Sequence, residues 1–218
     1  MYRKYIKRIL DFILALAGIV LLSPLLFILG ICVRLFLGSP ILFSQERPGY
    51  REKIFRLYKF RTMTEKKDAE GHLLPDRDRL TRFGLFLRKT SLDELPEMFN
   101  ILKGDMSWIG PRPLLVEYLP YYSEKEKLRH SVRPGLTGLA QASGRNLVDW
   151  DRRMALDAEY AEKLSFGMEL RVIAMTVKLV LGHSEAVAAD TGAAEGNFAS
   201  IRRERLARYG TLEKPEEK

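Results

Sequence analysis

Asp93 and Glu94 stand side by side in Ser91-Leu92-Asp93-Glu94-Leu95-Pro96, two carboxylates just ahead of a proline. Ser91 and Glu94 have the spacing of a capping box, with Ser at N-cap and Glu at N3. Pro96 opposes that register: it would be the fifth helical residue, where an N–H is needed and the ring clashes. A helix that begins at Asp93 or later puts Pro96 in its first turn, where it is tolerated. Both carboxylates then lie at the mouth of a helix N-terminus, whose dipole, about half a positive charge, favours anions and a nearby phosphate. Such a pair could cap the helix, bind a metal, or do both.

A carboxylate can also attack phosphorus and form an acyl phosphate. That chemistry needs a divalent cation to neutralise the phosphates and lessen repulsion with the nucleophile. Mg²⁺ takes one or two carboxylates plus phosphate oxygens, so a single Glu can anchor it. Arginines supply bidentate donors to phosphate. Arg88, Arg112 and Arg133 lie near the dyad or in turns stiffened by Pro111, Pro113, Pro134 and Gly135. Any one of them taken alone reads equally well as a surface charge. The residues therefore point to metal-assisted phosphate chemistry and leave the substrate open.

The elements that must position these groups begin with an apolar run. No charged residue occurs from Phe12 to Val33, and those 22 residues as a helix reach about 33 Å, against a hydrocarbon core of about 30 Å. Arg3, Lys4, Lys7 and Arg8 resemble the basic end of a signal peptide, but the run is long for one and no small-residue cleavage site follows. Ser23-Pro24 interrupts the run near its middle, where proline removes a helix hydrogen bond. Basic residues also flank both ends, with Arg34, Arg47, Arg51, Lys53, Arg56, Lys59 and Arg61 following. A helix that enters and returns keeps both basic flanks in the cytoplasm, with Ser23 available to the carbonyl that Pro24 frees.

The 218 residues suit one domain, and a formal charge of +8 calls for an anionic partner: nucleic acid, anionic lipid or a phosphorylated substrate. Cys32 is the single cysteine, which excludes an intrachain disulfide and a cysteine-based zinc site. His72, His130 and His183 show no metal-ligand spacing and read as surface or structural residues. ILFSQ and KIFRLYKFRT read as strands about an ERPGY turn, with Lys59 and Arg61 on one face. EKKDAEGHLLPDRDR reads as a loop. RLTRFGLFLRKT suits either a membrane surface or a basic helix packed on the core. LPEMFNILKG, WDRRMALDAEYAEKL and FGMELRVIAMTVKLVLG read as helices, the second placing Asp157 among apolar neighbours. From His183 the chain turns Ala/Gly-rich and ends in a charged stretch.

FRLYKFRTM, LRKTSLDELPEMFNILKGDMSWIGPRPLLVEYLP and VRPGLTGLAQASGRN follow, in order, an apolar helix with Ser-Pro. Together they resemble the bacterial sugar transferase family, the small monotopic phosphoglycosyl transferases, over roughly residues 1 to 182. The resemblance implies an α/β, mainly α, fold. It would comprise a re-entrant membrane helix at 1–38, a cytoplasmic catalytic domain at 39–182 with surface amphipathic helices and a small β-hairpin, and a linker with charged tail at 183–218. It further implies a UDP-sugar:polyprenyl-phosphate sugar-phosphotransferase at the bacterial inner membrane, facing the cytoplasm. Asp93 would attack the β-phosphate, releasing UMP, and polyprenyl (undecaprenyl) phosphate would take the sugar phosphate from Asp93. Glu94 would hold Mg²⁺, and Lys59, Arg61, Arg88, Arg112, Arg133 and Asp157 would bind substrate. The PRPLLVEYLP block is similar to that of transferases loading diacetylbacillosamine phosphate for bacterial N-glycosylation. Membrane lipid is an expected partner and nucleic acid is not; the oligomeric state is left open. The competing readings are a membrane-anchored basic protein that binds nucleic acid or anionic lipid without catalysis, and a membrane diphosphate hydrolase with the same dyad.

Overall fold

The long apolar run forms one helix, α1 (Lys7–Leu37), in a computed structural model that describes residues 2–144, 148–182 and 198–212. It is the one helix among the described residues long and apolar enough to cross a membrane. Pro24 sits inside it without ending it. Proline cannot bond the carbonyl four residues back, and the Ser23 hydroxyl donates to that carbonyl, Val20 O, at 2.8 Å. The helix stops at Gly38 (φ 86°), where the Arg61 guanidinium donates to Leu37 O and, at 2.6 Å, to Ser39 O.

α1 rests on the domain from end to end. Arg3, in the π-helical turn Tyr2–Ile6, donates to Ser131 O at 2.9 Å, and Lys7 pairs with Glu169. Asp11 accepts from Ser107 Oγ at 3.1 Å and from the Trp108 amide at 3.3 Å. Ala15 is buried with Phe55, Leu57, Ile101 and Met106, while Leu29, Val33 and Leu37 are buried with Phe60 and Leu87. The opposite face exposes Val20, Leu21, Phe27, Ile28 and Leu35. One narrow face of the helix is thus a core element, and the rest is largely apolar surface without a protein partner among the described residues, the arrangement expected beside lipid.

β1 (Leu42–Pro48) and β2 (Ile54–Phe60) form an antiparallel hairpin. β1 is longer than ILFSQ: Glu46, Arg47 and Pro48 continue the pairing opposite Arg56, Phe55 and Ile54. Arg47 is buried there because its guanidinium donates to Pro113 O at 3.1 Å and Gln45 Oε1 at 2.8 Å. After the hairpin come α2 (Asp76–Arg79) and α3 (Arg82–Lys89). Thr81 caps α3 through the Gly84 amide at 3.0 Å. Gly84 must be glycine, since a Cβ there would stand 1.7 Å from Thr62 O. That close approach seats α3 on the exit of β2 and against the end of α1, with Leu87 buried and Phe86 exposed. The basic-apolar segment is therefore packed on the core along one face and open along the other.

α4 (Glu97–Lys103) leads to β3 (Ser107–Ile109), which pairs in parallel with β4 (Gly135–Thr137). This second ladder, invisible in the hydrophobic pattern, brings the GPRP loop against the RPGLTG loop. A Cβ on Gly135 would lie 2.1 Å from the Gly110 amide, so only glycine permits the contact. α5 (Leu139–Ala142), α6 (Trp150–Lys163) and α7 (Phe166–Leu181) complete that side around Ile109, Leu156, Tyr160 and Val172. Asp149 and Ser165 cap α6 and α7 by accepting from the Arg152 and Met168 amides.

The charged C-terminal stretch contains a helix, α8 (Phe198–Tyr209). Phe198 lies 5.0 Å from the rings of Tyr118 and Trp150 and 5.4 Å from Tyr122. Arg202, 1% exposed, pairs with Glu126 and, at 3.0 Å, with Asp151. Burial of one aromatic and one paired arginine makes this segment part of the folded domain; the Ala/Gly-rich linker, with His183, lies outside the described residues.

Candidate active site

The capping box does not form. Ser91 is left-handed (φ 55°) and makes no side-chain cap, and Leu92–Glu94 is a 3₁₀ turn. Pro96 becomes the N-cap of α4, which starts at Glu97. Pro96 decides this locally, because α4 can begin only where no N–H is required of it. With seven residues, α4 has a weak dipole that acts only within its first turn, so charge at the dyad is set by neighbouring side chains.

Those side chains come from β2, the GPRP loop, α4 and α3. Lys59 reaches from β2 and donates to Glu94 Oε1 at 2.7 Å. Arg112, held in the GPRP loop by the β3–β4 ladder, donates to the same oxygen at 3.1 Å. Glu97, one helical turn on and 3% exposed, stands 3.3 Å from Lys59. Asp93 is 8% exposed and, among the described residues, its side chain has no direct hydrogen bond. Arg88, aimed by α3, donates to Thr62 Oγ1 at 3.0 Å and reaches the cavity beside Asp93.

The two adjacent carboxylates are electrostatically unequal. Burial lifts Asp93 to about 6, reinforced by the Glu94 charge beside it and opposed by Lys59, Arg112 and Arg88. Burial pushes Glu94 upward too, but Lys59 and Arg112 overcome it and hold its pKa below the usual carboxylate range. Glu97 is driven up by burial despite Lys59. Titrating groups pushed apart in this way mark separate roles: Glu94 a permanent anion, Asp93 a more basic carboxylate that is mostly ionised at neutral pH.

Two cavities meet at the dyad. The larger, about 780 Å³, is walled by Asp93, Glu94, Lys59, Arg61, Arg88 and Arg112, with threonines 62 and 64 between them. The smaller, about 280 Å³, runs past Leu95, Leu136, Ala140, Leu179 and Val180 and also touches Glu94 and Arg112. Asp157, 2% exposed, lines the smaller cavity and pairs with Arg129 at 2.9 Å. Arg129 in turn donates to Arg112 O at 2.7 Å and the Tyr122 hydroxyl at 3.0 Å. Asp157 thus bears on the dyad through Arg129 and the Arg112 backbone.

Lys59, Arg88, Arg112 and Asp157 therefore converge on these two cavities. Arg61 borders the larger one, although Leu37 O and Ser39 O take its Nη1 and Nη2 hydrogen bonds, so it also ties α1 to the site. Arg133 goes elsewhere: it donates to Gly104 O at 2.8 Å and lies near the Tyr50 ring, off both cavity walls. Glu97 and Arg129 escaped the sequence reading. Glu97 had a signal, since three residues after Glu94 puts it on the same side of a turn; Arg129 had none, because only the tertiary fold places it beneath Asp157. His72 is exposed and His130 buried.

The donor set suits a hard cation. Two neighbouring carboxylates face a cavity, and the described residues hold no cluster of three acidic, His or Cys groups that would cage a metal alone. Mg²⁺ bound through Glu94 would complete its shell with water and substrate phosphate oxygens.

Residues 2–183 match the bacterial sugar transferase family. The chain is 48% identical over 176 residues to the uncharacterised sugar transferase EpsL of Bacillus subtilis, covering 81% of this chain and 87% of that protein. It is 34% identical over 195 residues to the undecaprenyl-phosphate galactose phosphotransferase of Salmonella typhimurium, covering 82% of this chain and 41% of that protein. To the UDP-glucose:undecaprenyl-phosphate glucose-1-phosphate transferase of Klebsiella pneumoniae it is 38% identical over 181 residues, 78% of this chain and 39% of that one. The chain spans less than half the length of these two named phosphotransferases.

Proposed function

The chain belongs to the bacterial sugar transferase family, and on that premise we propose that it transfers a sugar 1-phosphate from a UDP-sugar to polyprenyl (undecaprenyl) phosphate, by way of a phosphosugar carried on Asp93. The observation that carries this reading is the inequality of the dyad: Glu94 is clamped by Lys59 and Arg112, while Asp93 faces the larger basic cavity with its charge available for attack. Related phosphotransferases are named for undecaprenyl phosphate as acceptor and for galactose or glucose.

An Asp93 carboxylate oxygen attacks the β-phosphorus of the UDP-sugar. The phosphorus–oxygen bond to the α-phosphate breaks and UMP leaves with that electron pair. A phosphate oxygen of the lipid, already ionised, then attacks the acyl phosphate. The bond to Asp93 breaks, the carboxylate is restored, and polyprenyl-diphosphate-sugar is released. In this reading Arg88 and Arg112, both on the cavity wall, hold phosphate oxygens, and Lys59 keeps Glu94 oriented. Mg²⁺, held by Glu94, would supply neutralising charge on the diphosphate. This would be the first membrane step of glycoconjugate assembly, with the catalytic domain on the cytoplasmic side of the inner membrane.

The test is a panel of UDP-glucose, UDP-galactose and UDP-diacetylbacillosamine (the donor the PRPLLVEYLP resemblance favours), with polyprenyl phosphate and Mg²⁺, scored for UMP and for protein-bound phosphosugar. UMP stoichiometric with enzyme in the absence of lipid supports the covalent step; continued release without lipid supports hydrolysis, and none with any donor supports a binding protein. Asp93→Asn should abolish the adduct. Glu94→Gln should slow its formation by about 10²–10³ and raise the Mg²⁺ requirement. An adduct of normal yield in Asp93→Asn would remove the proposed nucleophile.

A further inference from the structure

The dyad stands where two cavities join, the larger ringed by many basic residues and the smaller by fewer charges, which the proposed reaction leaves unexplained. Asp93 lines only the larger one, whose charged residues are mostly basic, with Lys67 and Arg79 beyond those already placed and Phe43, Phe60 and Met63 between them. The smaller one has Leu95, Leu136, Ala140, Leu179 and Val180 along one wall, with Arg112, Arg153 and the Arg129–Asp157 pair also on its lining. Ser91, Glu94 and Arg112 belong to both.

In-line displacement constrains how two substrates share this junction. UMP must depart opposite the attacking Asp93 oxygen. The lipid phosphate must later attack opposite that same oxygen, because it is then the leaving group. Both phosphates therefore occupy one seat in turn, while the groups attached to them differ. A uridine is polar and hydrogen-bonding; a polyprenyl stem is wholly apolar. At about 25 cal/mol per Å² of apolar surface, the stem is driven to the aliphatic wall.

The mouth of the smaller cavity points the same way. Val180, 54% exposed, lies on its lining together with Leu179 at the end of α7. The outer face of α7 continues from there with Val177, Ile173, Leu170 and Phe166, all exposed, at the spacing of one helical stripe. An apolar chain can thus reach the cavity mouth from lipid along the exposed apolar stripe of α7. We infer that the smaller cavity, between α5, α7 and the dyad, is the acceptor subsite for the polyprenyl phosphate. Its first prenyl units lie on Leu179, Val180 and Ala140, its phosphate is received by Arg112 with Arg153 nearby, and the larger cavity takes the nucleotide-sugar. This rests on the proposed transferase reaction.

The test is steady-state kinetics of the full chain in lipid nanodiscs, varying polyprenyl phosphate and UDP-sugar separately. Val180→Trp and Leu179→Trp narrow the smaller cavity from its exposed rim. Each should raise KM for polyprenyl phosphate tenfold or more and leave KM for the UDP-sugar within twofold. Arg112→Lys, at the shared seat, should raise both. The assignment is overturned if both tryptophan variants bind lipid phosphate normally, or if they raise the UDP-sugar KM instead. Because the split is read from the two KM values, it stands or falls independently of whether an Asp93 adduct is trapped; an enzyme that turns over without an adduct would count against the covalent step alone.

Discussion

Around Asp93 and Glu94, identity of residue matters less than which cation each carboxylate meets. Glu94 has Lys59 and Arg112 on one oxygen, whereas Asp93 has burial and a like charge beside it. The same contrast governs His130, which is buried next to the Arg129 guanidinium, with Tyr122 against its ring. Burial, aided by Arg129, lowers its pKa from 6.5 to about 3. Below about 6.5 the unfolded chain takes up a proton that the folded chain refuses, so the stability is fully present at neutral pH and is lost as pH falls toward 3. At pH 5 the loss is about 2 kcal/mol. Asp93, raised by burial, acts with the opposite sign over part of that range, so the quantity to measure is the difference between wild type and His130→Gln. Denaturant unfolding at pH 5 and pH 7 should show wild type losing about 2 kcal/mol more than the variant; equal losses would mean His130 is protonated in the folded protein.

At the scale of elements, the helix patterns and the hairpin were legible, because burial of one face imposes a period that composition records. α6 and α7 run as Trp150–Lys163 and Phe166–Leu181, close to the segments their patterns predict. The β3–β4 ladder was not legible: three-residue strands are too short to show alternation, and their glycines answer to a backbone contact from elsewhere in the chain. α1 carries the chief prediction here. Arg3 and Lys7 at its start and Leu37 at its end are all held on the same domain. A helix so tied cannot easily put its ends on opposite faces of a bilayer, and Ser23 answers the carbonyl that Pro24 frees. Cysteines introduced at Tyr2 and Ser44 should both react with an impermeant thiol reagent from the cytoplasmic side. Labelling from opposite sides would establish a span in place of a re-entrant helix.

For the whole molecule, α8 closes the domain over the loop that follows the GPRP turn. Phe198 fills a pocket of Tyr118, Tyr122 and Trp150, and Arg202 answers Glu126 and Asp151. Tyr122 is also a partner of Arg129, which ties this packing to the Asp157–Arg129–Arg112 chain beneath the dyad. Removing the aromatic ring should cost about 3–5 kcal/mol. Thermal or denaturant unfolding of Phe198→Ala in the full chain should show that loss, and an unchanged midpoint would mean α8 is dispensable to the fold. A charged terminal stretch of this kind hides its role, since IRRERL reads as solvated until two acidic partners are brought to it from distant positions. The amino-acid order by itself determined the dyad, the failure of its capping-box register, the apolar run with Ser23-Pro24 near its middle and the family blocks, because each depends on neighbours within a few residues or on a long specific match. Tertiary structure alone decided which carboxylate is clamped, that Glu97 and Arg129 join the site while Arg133 lies off it, and that the Asp-Glu pair sits where two cavities meet. Those are distances between residues far apart in the chain, and no local period encodes them.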